Sequence, residues 1–386
     1  MFNQQNISLF QQHATPFYAY DLPLLDKTIA ACKLASEKHG YHVHYALKAN
    51  SNPEIVTRIQ KAGLGADCVS GNEVKRAVEC GFSPSVIAFA GVGKSDEEIR
   101  IGITNDIFCF NCESLPEMEV IDQIAGSLNK KARIALRINP NVHANTHHYI
   151  TTGLEENKFG ISIHELPGVI AALADLKNLE LTGIHFHIGS QITDLSVFRS
   201  LCMRVNELQE WFASKRISLQ HINVGGGLGV NYHEPEKFSI PDFESFFYVF
   251  SKFLEVRKGQ EVHFELGRAL VAQCGALISR VLYVKKGVNT NFAILDAGMT
   301  ELIRPALYQA YHKIENLTPS PGATANRYDV VGPVCESSDC FGKAIDLPEI
   351  KRGDLIAIRT AGAYGEVMAS RYNLREREKS LYLQVS

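Results

Sequence analysis

Between residues 42 and 267, short apolar runs rich in β-branched and aromatic residues alternate with helical patterns, and turns rich in Gly or Asn join them. The runs are His42–Lys48, Leu64–Ser70, Val86–Gly91, Asp106–Asn111, Arg133–Pro140, Leu181–Gly189, His221–Gly227 and Glu261–Gly267. A doubly wound sheet usually has about five or six strands, so eight strands alternating with helices predict a parallel (β/α)8 barrel of the TIM type.

The starts of two helices support this pattern. Ser70 is followed three residues later by Glu73, and Ser95 by Glu98, each pair directly after a predicted strand. A serine and a glutamate at this spacing form a capping box at a helix N-terminus. The second and third strands are therefore each expected to lead into a helix.

After Gly267 the pattern changes to alternating runs separated by Gly, Pro and Asn, which are typical of antiparallel strands. These runs are Val271–Lys285, Phe292–Asp296, Tyr328–Val331, Asp354–Arg359 and Ser380–Val385. Near the start, Phe17–Tyr20 has the same character and could pair with them. We predict an α/β plus β fold, with the barrel at residues 28–266 and an antiparallel β domain made of residues 1–27 and 267–386.

Charge and hydropathy exclude two classes of partner. The net charge of −3 argues against binding to a nucleic-acid backbone. No window approaches about 18 consecutive apolar residues, and Met1–Tyr20 is polar, without the basic and apolar regions of a secretion signal. We expect a cytoplasmic protein that binds neither nucleic acid nor membrane.

Nine scattered cysteines fit reduced thiols in such a compartment. The one close pair, Cys109 and Cys112, has the spacing of a zinc or redox motif, but no second pair follows. We therefore predict two buried thiols at a strand end.

Catalytic side chains of such barrels come from the carboxyl ends of the strands. The polar residues predicted there are Lys48, Asp67, Arg137, Asn139, His185, His187, Glu265 and Arg268. Desolvation at a barrel mouth lowers the pKa of a lysine ammonium, and the neutral amine is a nucleophile suited to Schiff-base chemistry. The alternative is a lysine whose amine reaches solvent. The glycine-rich Gly225–Gly229 leaves backbone N–H groups free where barrels commonly bind phosphate.

The sequence also suggests two other kinds of site, and the support for each of them is weaker. The stretch from Ala88 to Ser95 resembles a nucleotide-binding P-loop, but alanine replaces its first glycine. His42, His44, His185 and His187 suggest a metal-dependent barrel hydrolase. However, His42 starts its strand, and the mouth offers the cations Lys48, Arg137 and Arg268 as neighbours.

Together these parts match pyridoxal 5′-phosphate. Lys48 can form an imine, the glycines can hold a phosphate, His187 can lie over a ring, and Glu265 can keep a pyridine nitrogen protonated.

Five motifs occur in the order of a known family: Tyr45–Asn50, His185–Gln191, Gly225–Gly229, Glu265–Arg268 and Gly332–Asp339. Along nearly its whole length the chain resembles the fold-type III pyridoxal-phosphate-dependent decarboxylases. The family's usual Glu-Pro-Gly-Arg reads Glu265-Leu266-Gly267-Arg268 here, a change expected to alter loop stiffness more than mechanism.

The resemblance implies roles for individual residues. Lys48 would hold the cofactor, His187 would stack on its ring, and Cys335 would donate a proton. Further cofactor contacts would come from Asp67, Arg137, Ser190, Gly225, Gly226, Gly227, Glu265, Gly267, Arg268 and Tyr364. Substrate contacts would come from Arg268, Arg304, Tyr308, Glu336 and Tyr364.

The resemblance also implies a carboxy-lyase that converts meso-2,6-diaminopimelate to L-lysine and CO2, the last step of lysine biosynthesis. A substrate with an amino acid group at each end needs an anion and a cation for its far end, and Glu336 and Arg304 supply them. A basic amino acid decarboxylase of the ornithine, arginine or carboxynorspermidine type is the alternative. In the family the active site is shared between the subunits of a homodimer, so we expect a homodimer here.

Overall fold

A computed structural model describes residues 1–142, 158–376 and 379–385. The helices are α1 (Gln4–Gln12), α2 (Leu22–Glu37), α3 (Pro53–Lys61), α4 (Gly71–Glu79), α5 (Asp96–Thr104), α6 (Leu115–Ser127), α7 (Leu166–Leu173), α8 (Ser196–Ser214), α9 (Phe243–Phe253), α10 (Arg268–Val271) and α11 (Arg304–Tyr308). Within the described ranges, none of the helices combines the length and apolar character needed to span a bilayer.

The strands are β1 (Phe17–Asp21), β2 (His42–Ala46), β3 (Gly65–Cys68), β4 (Ile87–Phe89), β5 (Cys109–Cys112), β6 (Ala132–Arg137), β7 (Leu179–His185), β8 (His221–Asn223), β9 (Glu261–Leu266), β10 (Gly275–Lys286), β11 (Asn291–Leu295), β12 (Ile314–Asn316), β13 (Ala325–Val331), β14 (Cys340–Pro348), β15 (Leu355–Ile358) and β16 (Leu381–Leu383). They divide between two compact units of the chain.

The barrel unit comprises residues 29–229 and 242–267. Its strands β2 to β9 pair in sequence order as a closed parallel barrel, which confirms the predicted (β/α)8 fold. The barrel closes between its first and last strands, where His44 stands opposite Glu265. Because the strands are parallel, their carboxyl ends meet at one rim, where the polar side chains were predicted to gather.

The two predicted helix starts differ in detail. Ser95 forms a complete capping box, since its Oγ accepts the Glu98 N–H at 3.4 Å while Glu98 accepts the Ser95 N–H at 3.0 Å. Ser70 also accepts from Glu73, at 3.2 Å, but the Glu73 carboxylate accepts the N–H of Val69 instead. The second half of the predicted box is therefore wrong at Ser70, because Glu73 accepts the N–H of Val69, the residue that follows β3, instead of that of Ser70.

Aromatic packing holds the outer helices on the barrel. Phe264 of β9 contacts Phe246 and Phe250 of α9 at ring-centroid distances of 5.7 and 4.8 Å, and Phe246 contacts Phe198 of α8 at 5.0 Å. Burying one such ring stabilises a fold by roughly 1.5–3 kcal/mol. Successive residues of a strand face opposite sides, so Phe264 points outward and Glu265 points into the barrel.

The inside of the barrel is unusually polar. A histidine cluster of His44, His221 and His263 packs around Phe108, whose ring centroid lies 4.9 Å from those of His221 and His263. His44 Nε2 lies 2.8 Å from His263 Nδ1. Bulky aliphatic residues usually fill such barrels. Here the imidazoles of His44, His221 and His263 replace part of that filling, whereas His42 at the start of β2 is exposed.

The β unit comprises residues 1–28, 230–241 and 268–386. Its main sheet runs β12-β15-β10-β11-β13-β14, and β1 pairs with β10 in antiparallel fashion. Two pairings are parallel, β1 with β16 and β11 with β13, so the sheet is mostly antiparallel. The N-terminal strand joins this sheet as predicted. The domain boundaries at residues 27/28 and 266/267 stay a prediction.

The run predicted as one strand from Val271 differs, because residues 268–271 are helical and β10 begins at Gly275. Two strands escaped prediction, β12 and β14. β14 carries Gly, Lys, Ala and Asp in place of regular apolar alternation, and its pairing with β13 holds it extended. Strand formation there depends on the neighbouring strand more than on local propensity.

Candidate active site

Lys48 and Asp67 meet at the rim of the barrel. Lys48 lies in a short 3-10 turn directly after β2, and Asp67 lies in β3 with Ala46 as its partner on β2. Lys48 Nζ is 3.1 Å from Asp67 Oδ2, and the lysine side chain keeps 34% of its surface exposed while that of Asp67 is buried. The sequence placed both residues at strand ends, and the register brings them into contact.

Asp67 is an unusual carboxyl group. Its Oδ1 is buried and has no hydrogen-bond partner in the part of the chain that the structure describes. Burial and the nearby charge of Glu265 raise the pKa of Asp67 to about 7, although Lys48 acts in the opposite direction. Asp67 can therefore gain or lose a proton near neutral pH, next to the only lysine predicted at the mouth.

Glu265 is held by three side chains inside the barrel. Its Oε1 accepts the amide N–H groups of Asn111 at 3.0 Å and Asn223 at 2.7 Å, and its Oε2 lies 2.9 Å from His185 Nε2. Burial alone would raise the pKa of Glu265. His185 and Lys48 outweigh that effect and hold its pKa well below its usual range. Glu265 is therefore a fixed, buried carboxylate.

The two asparagines were not predicted as site residues. Asn111 closes a predicted strand and Asn223 precedes the glycine run, so both lie at the strand ends where polar residues were sought. Their positions at strand ends could therefore have identified both asparagines as candidate site residues from the sequence.

The glycine turn after β8 is required by close backbone packing. A Cβ atom on Gly225 would lie 2.2 Å from the Phe186 carbonyl oxygen, and one on Gly226 would lie 1.9 Å from the Glu265 carbonyl oxygen. Gly225 also has φ +72°, a conformation that favours glycine. The turn brings the Gly226 N–H to 3.4 Å from His187 Nδ1. Any side chain at these two positions would displace strand ends that carry other site residues.

His187 is a neutral ring. Burial lowers its pKa well below the usual value, and the positive charges of Lys48 and Arg137 lower it further. Arg137, at the end of β6, donates to the buried carboxylate of Glu113, which also accepts the Gly160 N–H at 2.8 Å. Glu113 was not predicted, and it keeps Arg137 at the rim. Ser190 is partly buried three residues after His187.

The β unit carries a second group of predicted residues. Arg268 opens α10 and lies with its Cζ 4.9 Å from the centroid of the Tyr364 ring. Arg304 opens α11 and Tyr308 ends it. Both arginines are buried, with 6% of their surface exposed. Two buried guanidinium groups in one unit form a region suited to binding anions.

Cys335 and Glu336 lie in the turn between β13 and β14, and both are exposed in the single chain. Glu336 Oε1 accepts a hydrogen bond from the Tyr372 hydroxyl at 3.0 Å. The carboxylate of Asp339 accepts the N–H of Met299 at 2.6 Å and that of Val334 at 2.7 Å. This bridge fixes the turn that presents Cys335.

Lys94, the lysine of the stretch that resembles a P-loop, has a structural role. The side chain of Lys94 is buried, forms an ion pair with Glu117, and donates to the carbonyl oxygens of Gly91 and Asn111 at 2.9 Å. Its amine ties the ends of two barrel strands together and is not presented to a nucleotide. Cys109 and Cys112 are buried free thiols in β5, as predicted.

Comparisons with known proteins agree with this geometry. Residues 25–272 match the family model described as "Pyridoxal-dependent decarboxylase, pyridoxal binding domain". A diaminopimelate decarboxylase of Bacteroides thetaiotaomicron is 58% identical, and the match covers 97% of this chain and 96% of that protein.

Solved structures match as well. The structure of Helicobacter pylori diaminopimelate decarboxylase complexed with L-lysine has a TM-score of 0.92 and 42% identity, over 98% of this chain and 94% of that one. The structure of the lysine/ornithine decarboxylase from Vibrio vulnificus complexed with putrescine has a TM-score of 0.85, and the match covers 100% of this chain and 99% of that one. At 21% sequence identity, this match shows a shared fold alone.

Proposed function

The chain belongs to the pyridoxal-dependent decarboxylases, and from this membership we propose that it converts meso-2,6-diaminopimelate to L-lysine and CO2. It is a carboxy-lyase that uses pyridoxal 5′-phosphate. Relatives named diaminopimelate decarboxylase at 58% and 43% identity, matched over nearly their whole length, support this substrate over that of an ornithine-type enzyme. The observation that carries the chemistry is the amine of Lys48 beside Asp67, at a rim whose buried carboxylate Glu265 is held ionised.

The residues of the barrel unit fit this cofactor. Asp67 keeps a buried oxygen without a partner among the described residues, as expected of a group that awaits a donor. Gly225 and Gly226 let the turn pack directly against the carbonyl oxygens of Phe186 and Glu265, and this turn follows a barrel strand in the region where such barrels commonly bind phosphate. Glu265 is a carboxylate suited to a protonated ring nitrogen, and His187 is a neutral ring suited to stacking.

In this proposal Lys48 would hold the cofactor covalently, and His187 would stack on its ring. The remaining cofactor contacts in this proposal are Asp67, Arg137, Ser190, Gly225, Gly226, Gly227, Glu265, Gly267, Arg268 and Tyr364. When bound, the cofactor supplies an electron sink for the bond pair left behind as CO2 departs. Glu265 keeps the ring nitrogen protonated, and Asn111, Asn223 and His185 keep Glu265 in place and ionised.

Substrate recognition in this proposal uses Arg268, Arg304, Tyr308, Glu336 and Tyr364. The far end of diaminopimelate carries an ammonium and a carboxylate, and Glu336 and Arg304 supply the opposite charges. Arg304 is buried, and a buried cation without an anionic partner is costly. An ornithine-type substrate brings no carboxylate to the far end and would leave Arg304 unpaired there. This charge argument supports the dicarboxylic substrate.

Cys335 is the proposed proton donor to the carbon from which CO2 departs. Proton delivery requires a site closed to bulk water, yet Cys335 and Glu336 are exposed in the single chain. Leu374 is 93% exposed and Tyr372 49% exposed in the same unit, which supports a covering partner. We therefore propose a homodimer in which Cys335 of one subunit completes the site of the other.

The proposed compartment is the cytoplasm. All nine cysteines are free thiols, and six of them are buried. Free thiols persist in a reducing compartment.

The activity test is incubation of the purified holoenzyme with meso-diaminopimelate, with measurement of CO2 and L-lysine. We expect one CO2 per lysine and no release from ornithine or arginine. Borohydride reduction followed by peptide mapping is expected to label Lys48. Labelling of another lysine would contradict its role, and CO2 release from ornithine at a similar rate would contradict the substrate.

The dimer test mixes two inactive variants, Lys48→Ala and Cys335→Ala. If sites are shared, one of the two sites in each mixed dimer has both residues intact, and activity returns to about a quarter of wild type after random exchange, since half the dimers are mixed. Shared sites are excluded if the mixture stays as inactive as either variant alone while subunit exchange is confirmed.

A further inference from the structure

One phenol oxygen in the β unit joins two buried arginines. Tyr232 Oη accepts a hydrogen bond from Arg268 Nη1 at 2.6 Å and another from Arg304 Nη1 at 3.1 Å. The Cζ of Arg304 also lies 5.2 Å from the centroid of the Tyr232 ring. A hydroxyl oxygen has two acceptor lone pairs, and here both are used by cations.

His312 holds Arg304 from another direction. Arg304 Nη1 is 2.9 Å from His312 Nε2, and His312 Nδ1 is 2.8 Å from the Arg359 carbonyl oxygen. The carbonyl can only accept, so Nδ1 carries the hydrogen and Nε2 accepts from the guanidinium. Burial and the charge of Arg304 lower the pKa of His312 to about 3, so this ring is neutral. Arg304 thus has two fixed hydrogen-bond acceptors, the Tyr232 hydroxyl and the neutral ring of His312.

The segment that carries Tyr232 is itself anchored. Gln273 Nε2 donates to the carbonyl oxygens of Asn231 at 2.9 Å and Phe238 at 3.2 Å. Gln273 Oε1 accepts the Thr360 hydroxyl at 2.9 Å. Because Tyr232 follows Asn231 directly, its phenol is held by the same frame and not by the arginines alone.

Two positive charges lie against the phenol oxygen. Burial would raise the pKa of Tyr232, but the charges and hydrogen bonds of Arg268 and Arg304 outweigh burial and lower it. The hydrogen bonds of the Arg304 guanidinium within the described residues go to Tyr232 and His312, and neither partner is a carboxylate. The phenol oxygen therefore lies against two positive charges, and it brings no carboxylate to the pair.

We propose that Tyr232 is a positioning residue for substrate recognition, whose phenol oxygen holds Arg268 and Arg304 at a fixed spacing as a joint receptor for substrate carboxylate. This inference rests on the proposed function. A carboxylate could not perform the same task, because a full negative charge would compete with the substrate for both guanidinium groups. A phenol orients the two arginines and leaves them attractive to an anion.

The test is Tyr232→Phe in the holoenzyme, which keeps the ring and removes only the bridging oxygen. We expect the KM for meso-diaminopimelate to rise about tenfold, because the two hydrogen bonds that orient the arginines are lost, with a smaller change in kcat. Calorimetry should show weaker binding of L-lysine, which retains one carboxylate, and unchanged binding of pentane-1,5-diamine, which has none. The cofactor absorbance should persist.

The matched control is Tyr328→Phe. Tyr328 is equally buried in the β unit, and its hydroxyl accepts one backbone N–H, that of Ile350, at 3.1 Å. An alkaline ultraviolet titration should lose a tyrosine whose pKa lies below the usual value in Tyr232→Phe but not in the control. Combining Tyr232→Phe with Arg304→Lys should raise KM by less than the product of the single effects.

Several results would overturn the inference. Equal weakening of lysine and the diamine would indicate general damage, and unchanged lysine binding would show that the phenol positions nothing. Multiplicative effects with Arg304→Lys would mean that Tyr232 acts independently of that arginine. Absence of turnover by the wild-type enzyme would count against the proposed function alone, because the binding and titration readouts require no catalysis.

Discussion

Oδ2 of Asp339 accepts the backbone N–H of Val334 at 2.7 Å, one residue before Cys335. Its Oδ1 accepts the N–H of Met299, so one carboxylate joins two loops. A Cβ on Gly332 would lie 2.3 Å from Oδ2, which shows how closely the backbone surrounds this group. Asp339 thereby determines where the proposed proton donor stands.

Asp339→Asn tests this arrangement. The amide offers one acceptor oxygen and turns its NH2 group toward the second backbone N–H, so one bond is lost and one repulsive contact appears. Since hydrogen bonds to charged groups contribute roughly 1.5–3 kcal/mol, we expect kcat to fall by about 10- to 100-fold with cofactor absorbance retained. Asp346→Asn, at an exposed position of β14, is the control. Equal rates for the two variants would refute the role.

Glu265→Gln tests the buried carboxylate. Glutamine removes the negative charge and presents an NH2 group to donors that now serve the carboxylate, those of Asn111, Asn223 and His185. We expect kcat to fall by about 10²- to 10³-fold, as when a catalytic electrostatic group is removed. Glu261→Gln on the same strand is exposed and should leave kcat unchanged. A Glu265→Gln enzyme with near wild-type kcat would contradict the role of its charge.

Asp67→Asn should change how stability depends on pH. The folded protein raises the pKa of Asp67 to about 7, from about 3.9 in an unfolded chain, so between these values the folded state binds more protons. This contribution is fully present below about pH 4 and is lost as pH rises through 7. The Asp67→Asn variant should lack this pH-dependent contribution to stability.

Urea unfolding of the cofactor-free protein at several pH values measures this effect. Relative to wild type, the free energy of unfolding of Asp67→Asn should gain up to about 1.4 kcal/mol per pH unit between pH 4 and 7. The exposed Asp175→Asn serves as control. A difference that does not vary with pH across this window would refute the raised pKa.

His221→Leu should produce the opposite sign. Burial, together with His44 and His185, lowers the pKa of His221 to about 3 in the folded protein, from about 6.5 in an unfolded chain. Between these values the unfolded state binds more protons, so the contribution of His221 to stability is lost as pH falls below 6.5. The variant should therefore lose less stability than wild type between pH 6.5 and 3.

The same unfolding series checks this expectation, with the exposed His164→Leu as control. A slope as steep in His221→Leu as in wild type would show that this ring is not the acid-sensitive group of the histidine cluster.

Most of the architecture was predictable because it depends on local patterns. Eight β-branched runs at regular spacing, Ser95 with Glu98, and a glycine run after the seventh barrel strand are each encoded within a few neighbouring residues. Parallel strands then place Lys48, Asp67 and Glu265 at one rim, since their carboxyl ends must coincide. The family resemblance added roles to residues already marked by these patterns.

Only the tertiary structure decided which groups hold the site residues. Asn111 and Glu265 are 154 positions apart, and Tyr232 and Arg304 are 72 apart, so no local pattern joins them. The register of the barrel selects the donors of Glu265, just as pairing with β13 makes a strand of the irregular β14. Burial likewise sets the pKa of Asp67 and His221, because desolvation depends on everything packed around a group and not on its neighbours along the chain.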